Sequence, residues 1–278
     1  MFFIREAIIL IASFIGMVTD LKTGLIYDKL TLPIIVIGIV LNLVGLFFGL
    51  ISLDLVSYFG LGGLIFVFGW LLYRTGKLGG GDVKLFLGIH FVLPMVNGFP
   101  TIILVLIFSA LSSIIVLSVY YLVKLLRKGI NLKQNYSSLK KAFIFGIGFV
   151  VYFWFMFSRN VFPTEFLLLF AFPLFFGLIF VALEKQIREE FFLKKVKLSQ
   201  LEEDEIIAFD YFDEKLKKEL NLKEKRVLGK TEIEKLIELK VKTIPVYRDL
   251  PKFGPFIFVG VLLTTVLADF LEFLWIFA

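Results

Sequence analysis

The sequence predicts an all-α polytopic membrane protein: about eight transmembrane helices (range six to eight), with a small cytosolic domain before the last one. Three observations predict it. Of 278 residues, 59% belong to the apolar set AVILMFWYC, against about 45–50% in an average soluble domain. The mean hydropathy is +0.91. Apolar runs of about 20 residues, the length a helix needs to cross a bilayer, recur along the chain between short charged loops.

Phe2 to Thr19 is the first run. It has no strong basic stretch before it and no A-x-A cleavage site, so it reads as a retained helix. Thr31–Leu50 and Leu53–Tyr73 are the second and third. Val83–Asn97 is a fourth and unusually short run. Thr101–Leu126, Ala142–Phe157 and Val161–Leu183 follow, and Lys252–Ala278 carries the last, with its helix beginning near Phe256. Residues 184–252 are different. They hold 17 of the 30 Lys+Arg and 16 of the 24 Asp+Glu, too polar to cross a membrane. The division is therefore a helical bundle over 1–183, a charged domain over 184–252 and a final helix over 253–278. Within the charged domain, Ser199-x-x-Glu202 and Thr231-x-x-Glu234 fit the capping-box pattern, and the second predicts a helix over Glu232 to Lys240. Pro245, Pro251 and Pro255 predict an extended, bent approach to the last helix. Gly229-Lys230-Thr231 resembles the tail of a phosphate-binding loop, but Glu224 stands where that loop needs glycine.

Loop charge predicts the orientation. Lys22 and Lys29, then Arg74, Lys77 and Lys84, then Lys124 to Lys141, then the charged domain all fall in alternate loops. Those loops face the cytoplasm, and Arg5 and Arg159 are the basic residues of the other side. No basic stripe stands free of acid, so nothing predicts a nucleic-acid partner. The bilayer is the first partner.

Composition also limits the chemistry. The chain has no cysteine and one histidine. That excludes disulfides, iron–sulfur clusters, thiolate zinc sites and a cysteine nucleophile, and leaves little room for a triad or a multi-histidine metal site. No metal or cofactor is expected. Carboxylates remain. Ionisable groups at membrane depth are expensive and functional by default; Asp20, Asp28 and Asp82 lie near the inner face, Asp54, Asp269 and Glu272 near the outer. Asp82 follows Gly79, Gly80 and Gly81. Three glycines weaken a helix, each by about 1 kcal/mol relative to alanine, but they permit a tight turn and close backbone approach. Asp82 then sits in the first turn of a helix, where free N–H groups favour an anion. Asp20 ends the first helix, where the negative pole favours the acid. Two carboxylates pushed apart in this way share a proton and activate water.

On these residues the chain resembles a known family. Gly79-x-Gly81-Asp82 is similar to the motif of the GxGD membrane aspartic peptidases. The run Asp20-Leu-Lys-Thr-Gly-Leu-Ile26-Tyr-Asp28 resembles the first aspartate motif of the type IV prepilin peptidases, most closely the archaeal branch that processes preflagellins and pilin-like proteins. The end, from Gly229 and again from Pro245 to Gly260, resembles archaeal members as well. The resemblance implies an aspartic endopeptidase that cuts a short basic leader from precursors with a hydrophobic helix (pilins, archaellins) at the cytoplasmic membrane boundary. It implies Asp20 and Asp82 as the catalytic pair, with Gly79, Gly80 and Gly81 supporting the motif. Asp28, Lys22 and Lys84 are candidate substrate-binding residues. The cysteine-rich domain of bifunctional relatives is missing, which implies no N-methyltransferase activity. The expected six helices of the family are exceeded by a hairpin around Ala142–Leu183, read either as a brace for the bundle or as a holder of the substrate helix.

Two other readings use the same residues. A presenilin-like protease would use Tyr27-Asp28 with the glycine motif, but Asp28 falls in a loop and Phe172-Pro173-Leu174 is a misplaced mimic of the required C-terminal motif. A proton- or cation-coupled transporter would use Asp20 and Asp82 as a relay, but the glycine break has no counterpart in the second half. His90 is expected to be a buried, hydrogen-bonded core residue. Glu202 to Glu205 form an acidic run suited to a solvated face or to a basic leader.

Overall fold

The computed structural model describes residues 2–159, 164–201, 205–212, 230–238, 241 and 243–276. Helices lie on every expected apolar run: α1 (Phe2–Thr23), α2 (Asp28–Phe47), α3 (Leu55–Arg74), α4 (Gly80–Val92), α5 (Thr101–Lys128), α6 (Tyr136–Ser158), α7 (Thr164–Ile187) and, after a shorter α8 (Lys230–Glu238), the last helix α9 (Gly254–Ile276). Among the described residues, five helices are long and apolar enough on their own to cross a membrane. The chain is an all-α polytopic membrane protein. Val161, where the seventh run was expected to begin, lies outside the described residues.

α4 sits at the centre. Ten of its 13 residues are buried, the pattern of a helix that is apolar all round. α2, α3, α1 and α5 surround it. Close approach is built on glycine: a Cβ at Gly38 of α2 would lie 2.5 Å from the Phe91 backbone, and one at Gly69 of α3 would lie 2.4 Å from Val83. The core cluster joins Ile9 and Ala12 of α1, Ile34 of α2, Leu85 and Ile89 of α4, Val105 of α5 and Ile257 of α9.

The fourth run was expected to be one helix to Asn97. It ends at Val92 instead, because Leu93 precedes Pro94 and takes an extended backbone. A hairpin follows, β1 (Met95–Val96) against β2 (Phe99–Pro100). Its turn is Asn97-Gly98, with φ of 46° and 79°, the pairing that a two-residue turn of this hand demands. At 1.5 Å per residue α4 is about 20 Å long, short of the roughly 30 Å hydrocarbon core. A carbonyl exposed at its end inside the membrane would be costly. Two side chains meet it: Tyr58 Oη donates to the Phe91 carbonyl at 2.8 Å and Asn42 Nδ2 at 2.6 Å.

At the opposite end of the bundle lies a three-stranded antiparallel sheet. Its order is β3 (Leu193–Lys197), β5 (Thr243–Tyr247), β4 (Ile206–Ile207). Val196, Ile207, Phe212, Leu236, Ile244 and Val246 form a separate core there. No strand was read from the sequence in this region. Pro245, expected in an extended, bent approach, is extended as part of the central strand, opposite Lys195. A residue in an antiparallel strand points its N–H and C=O the same way. The Pro245 carbonyl accepts from Ala208 N–H at 3.0 Å, so its missing donor faces the side where β4 ends and removes no bond to β3. Ser199 falls in a single 3-10 turn, Leu198–Gln200, rather than before a helix. α8 is described from Lys230, so Thr231 lies inside it and not ahead of it; Gly229, Glu202 to Asp204, Glu224 and Lys240 lie outside the described residues.

Polar side chains tie the parts together. Gln186 of α7 donates to the Gly129 carbonyl at 3.0 Å and accepts from Asn135 Nδ2 at 2.9 Å, locking the α5–α6 turn onto α7. Arg188 reaches Glu184, Asp210 and the Tyr247 hydroxyl, joining the end of α7 to the sheet. The sheet also touches the α3–α4 turn, where a Cβ on Gly76 would lie 3.2 Å from Ile206.

Candidate active site

Asp20 and Asp82 meet at the sheet end of the bundle. Asp20 lies one turn from the end of α1, which Gly24 closes at φ 75° with its N–H donating to the Asp20 carbonyl at 2.8 Å. Asp82 is the third residue of α4. Its Oδ2 reaches back to accept the Gly79 N–H at 3.0 Å, a capping bond that ties the carboxylate to the positive end of the helix. Both side chains are buried, with 6% of Asp20 and 9% of Asp82 exposed, and Asp82 lies within the electrostatic reach of Asp20. Asp20 Oδ2 accepts the Gly254 N–H at 2.8 Å. The second oxygen of each carboxylate has no protein hydrogen bond among the described residues. Nor does either aspartate form an ion pair among them. The pair is thus two buried acids, each held by one backbone amide, each with one oxygen free for another group.

The glycines of the motif have distinct reasons. A Cβ at Gly81 would lie 2.6 Å from the Ile26 carbonyl, so this residue lets the start of α4 lie on the loop that follows Asp20. A Cβ at Gly79 would lie 2.8 Å from Asp82 Oδ2, the oxygen that its own N–H binds. Gly80 has room: its Cβ would meet only the Tyr73 ring at 3.6 Å.

Asp28 and Lys84 engage one another, Lys84 Nζ to Asp28 Oδ1 at 2.5 Å. Lys22 is exposed. Several residues singled out in the sequence lie away from the site or are engaged elsewhere. His90 lies two turns along α4, buried, its Nε2 donating to the Tyr58 carbonyl at 2.9 Å. Asp54 caps α3 through Val56 and Ser57. Glu205, the described member of its acidic run, pairs with Arg248. Asp269 and Glu272 fall on α9. Among the described residues no group of three potential metal ligands occurs. A cavity of about 390 Å³ between α5, α6 and α7, lined by Ser118, Phe145, Phe149 and Gly177 among others, touches neither aspartate.

Sequence reasoning missed Gly254 and Lys252. The stretch from Pro245 to Gly260 stands out for its likeness to archaeal members, but no role follows from it for either residue; the contact itself spans 234 residues of sequence.

Two buried carboxylates at one end of a membrane helix bundle are an arrangement able to carry acid–base chemistry. Residues 7–118, which carry both aspartates and the three glycines, match the type IV leader peptidase family. That match is a likeness over this part of the chain, to a family described as leader peptidases. Neither the curated proteins nor the solved structures searched contain a match.

Proposed function

We propose that the chain is an aspartic endopeptidase that removes the short basic leader of type IV pilin-like or archaellin precursors at the cytoplasmic face of the membrane. The observation that carries this reading is the pairing of Asp20 and Asp82, buried and within reach of each other's charge. Two such carboxylates cannot both ionise easily, so the pair holds one proton. The ionised member takes a proton from water as its oxygen attacks the scissile carbonyl carbon. The protonated member gives its proton to the carbonyl oxygen. Collapse of the tetrahedral intermediate breaks the C–N bond: the leaving amine takes a proton from the newly protonated carboxyl, and the other carboxylate takes back the proton of the hydroxyl that becomes the new carbonyl, so the pair again holds one proton. No metal or cofactor enters.

The leader lies on the cytoplasmic side in this reading, and the 184–252 domain with it. Asp28, exposed and facing Lys84, offers a carboxylate to a leader lysine or arginine that displaces Lys84. The chain carries no N-methyltransferase activity, so the mature product keeps a free α-amino group. The test is cleavage of a pilin-type precursor by full-length protein in membranes. Wild type removes the leader; Asp20→Asn and Asp82→Asn, expressed to the same level, each lose at least about 1,000-fold, the scale on which losing a dyad member acts. Asp28→Asn raises KM with kcat little changed. A dyad variant that still cuts at the wild-type rate sinks the reading.

A further inference from the structure

We propose that the strap from Arg248 to Gly254 is a third element of the peptidase site, with Gly254 and Lys252 as positioning residues for the carboxyl group of Asp20. This rests on the aspartic-peptidase reading above and extends it beyond the residues matched to the family, which end at 118.

The strap touches Asp20 twice. Gly254 opens α9, and its N–H is one of the donors that a helix start leaves without an internal partner. It binds Asp20 Oδ2 at 2.8 Å. Only glycine fits this contact: a Cβ on residue 254 would lie 2.9 Å from both Asp20 Cβ and Asp20 Oδ2. Two residues earlier, Lys252 Nζ donates to the Leu21 carbonyl at 2.7 Å. A cation there satisfies a carbonyl near the end of α1 and suits the negative pole of that helix. The same ammonium acts electrostatically on Asp20.

The strap is fastened at its other end to the sheet. Arg248 N–H donates to the Phe192 carbonyl at 3.0 Å, and its guanidinium pairs with Glu205. Asp249, at φ 57°, pairs with Lys194 at 2.9 Å. Asp20 is therefore not held by its own helix alone. A short tied segment fixes its Oδ2, which leaves Oδ1 as the oxygen available to water or substrate. Asp82 is held by its own motif, through Gly79. The two acids of the pair are thus set by separate parts of the chain.

The experiment uses full-length protein and has two arms. In the first, cleavage of a pilin-type precursor is measured for wild type, Gly254→Ala, Lys252→Met and Lys252→Arg, with folding checked by thermal unfolding. Gly254→Ala and Lys252→Met lower kcat by about tenfold or more, because a misplacement near 1 Å can cost about 100-fold, while KM moves little. Lys252→Arg restores most of kcat. A purely structural role would lower the unfolding temperature and leave kcat per folded molecule unchanged, and that result overturns the proposal. If Gly254→Ala does not fold, the Lys252 pair of variants decides. The second arm needs no substrate: amide exchange at Gly254 is compared between wild type and Asp20→Ala. Exchange faster by about tenfold in the variant supports the link; equal rates overturn it. If wild type cleaves no precursor, the peptidase reading fails by itself, and the second arm still decides whether the strap holds Asp20.

Discussion

At the scale of single residues, three consecutive glycines serve unequal ends. Gly81 admits the Ile26 carbonyl, Gly79 leaves space for the carboxylate of Asp82, and Gly80 faces an ordinary contact with Tyr73. Alanine scanning of the motif should divide accordingly. Gly81→Ala and Gly79→Ala lose cleavage activity by about tenfold or more, because each forces the site apart at a catalytic group. Gly80→Ala keeps near wild-type activity and folds as well or better, since alanine is the better helix former. Equal loss at all three positions would show that the close contacts do not govern the motif. The dyad also predicts a bell-shaped pH dependence of kcat. One member must be protonated and the other ionised, so both limbs belong to the pair rather than to either residue. A profile with one limb would mean that a single carboxylate titrates. The aspartates and the glycine spacing were legible in the sequence because their chemistry is local. Gly254 was not, because its role depends on which distant side chain the fold brings to its amide.

At the scale of elements, α4 explains most of the bundle's packing. It is too short to cross alone, and its end is met by Tyr58 and Asn42 rather than by solvent. The neighbours approach it through glycine, and the same substitution therefore has opposite effects at two sites. Gly38→Ala puts a Cβ 2.5 Å from the Phe91 backbone, while Gly63→Ala on α3 meets nothing within 4 Å. Gly38→Ala should destabilise by about 1–3 kcal/mol as an overpacked contact against backbone. Gly63→Ala should be neutral or stabilising by up to about 1 kcal/mol. Thermal unfolding of the two variants side by side checks this, and a matched loss at both positions would refute it. The helices themselves were legible from hydropathy, with bounds shifted by a few residues. The end of α4 was misread because apolar residues continue past Pro94, although Pro94 and Asn97-Gly98 together spell the break and the turn. The strands were missed because two of them are edge strands of five residues or fewer and the third carries Pro245 at its centre.

At the scale of the whole molecule, the aspartate pair and the sheet occupy one end of the bundle, and Arg5 and Asp54 the other. The charge pattern predicts that the first end faces the cytoplasm. The absence of cysteine makes this directly testable, since any introduced thiol is unique. Ser52→Cys, exposed on the α2–α3 loop, should react with a membrane-impermeant thiol reagent on intact cells. Lys133→Cys, exposed on the α5–α6 loop, should react only after the cells are opened. The reverse pattern would turn the protein over and put the site outside the compartment where leaders are presented. The sequence by itself determined the class of the protein and the places of its helices, and it singled out carboxylates as candidate reactive groups and a side on which to expect them, because composition, periodicity and charge are properties of short stretches. Tertiary structure alone decided that Asp20 and Asp82 stand together, that α4 is the buried hub, and that the turn before the last helix closes on Asp20. Those facts depend on contacts between residues tens to hundreds of positions apart, which a local pattern does not encode.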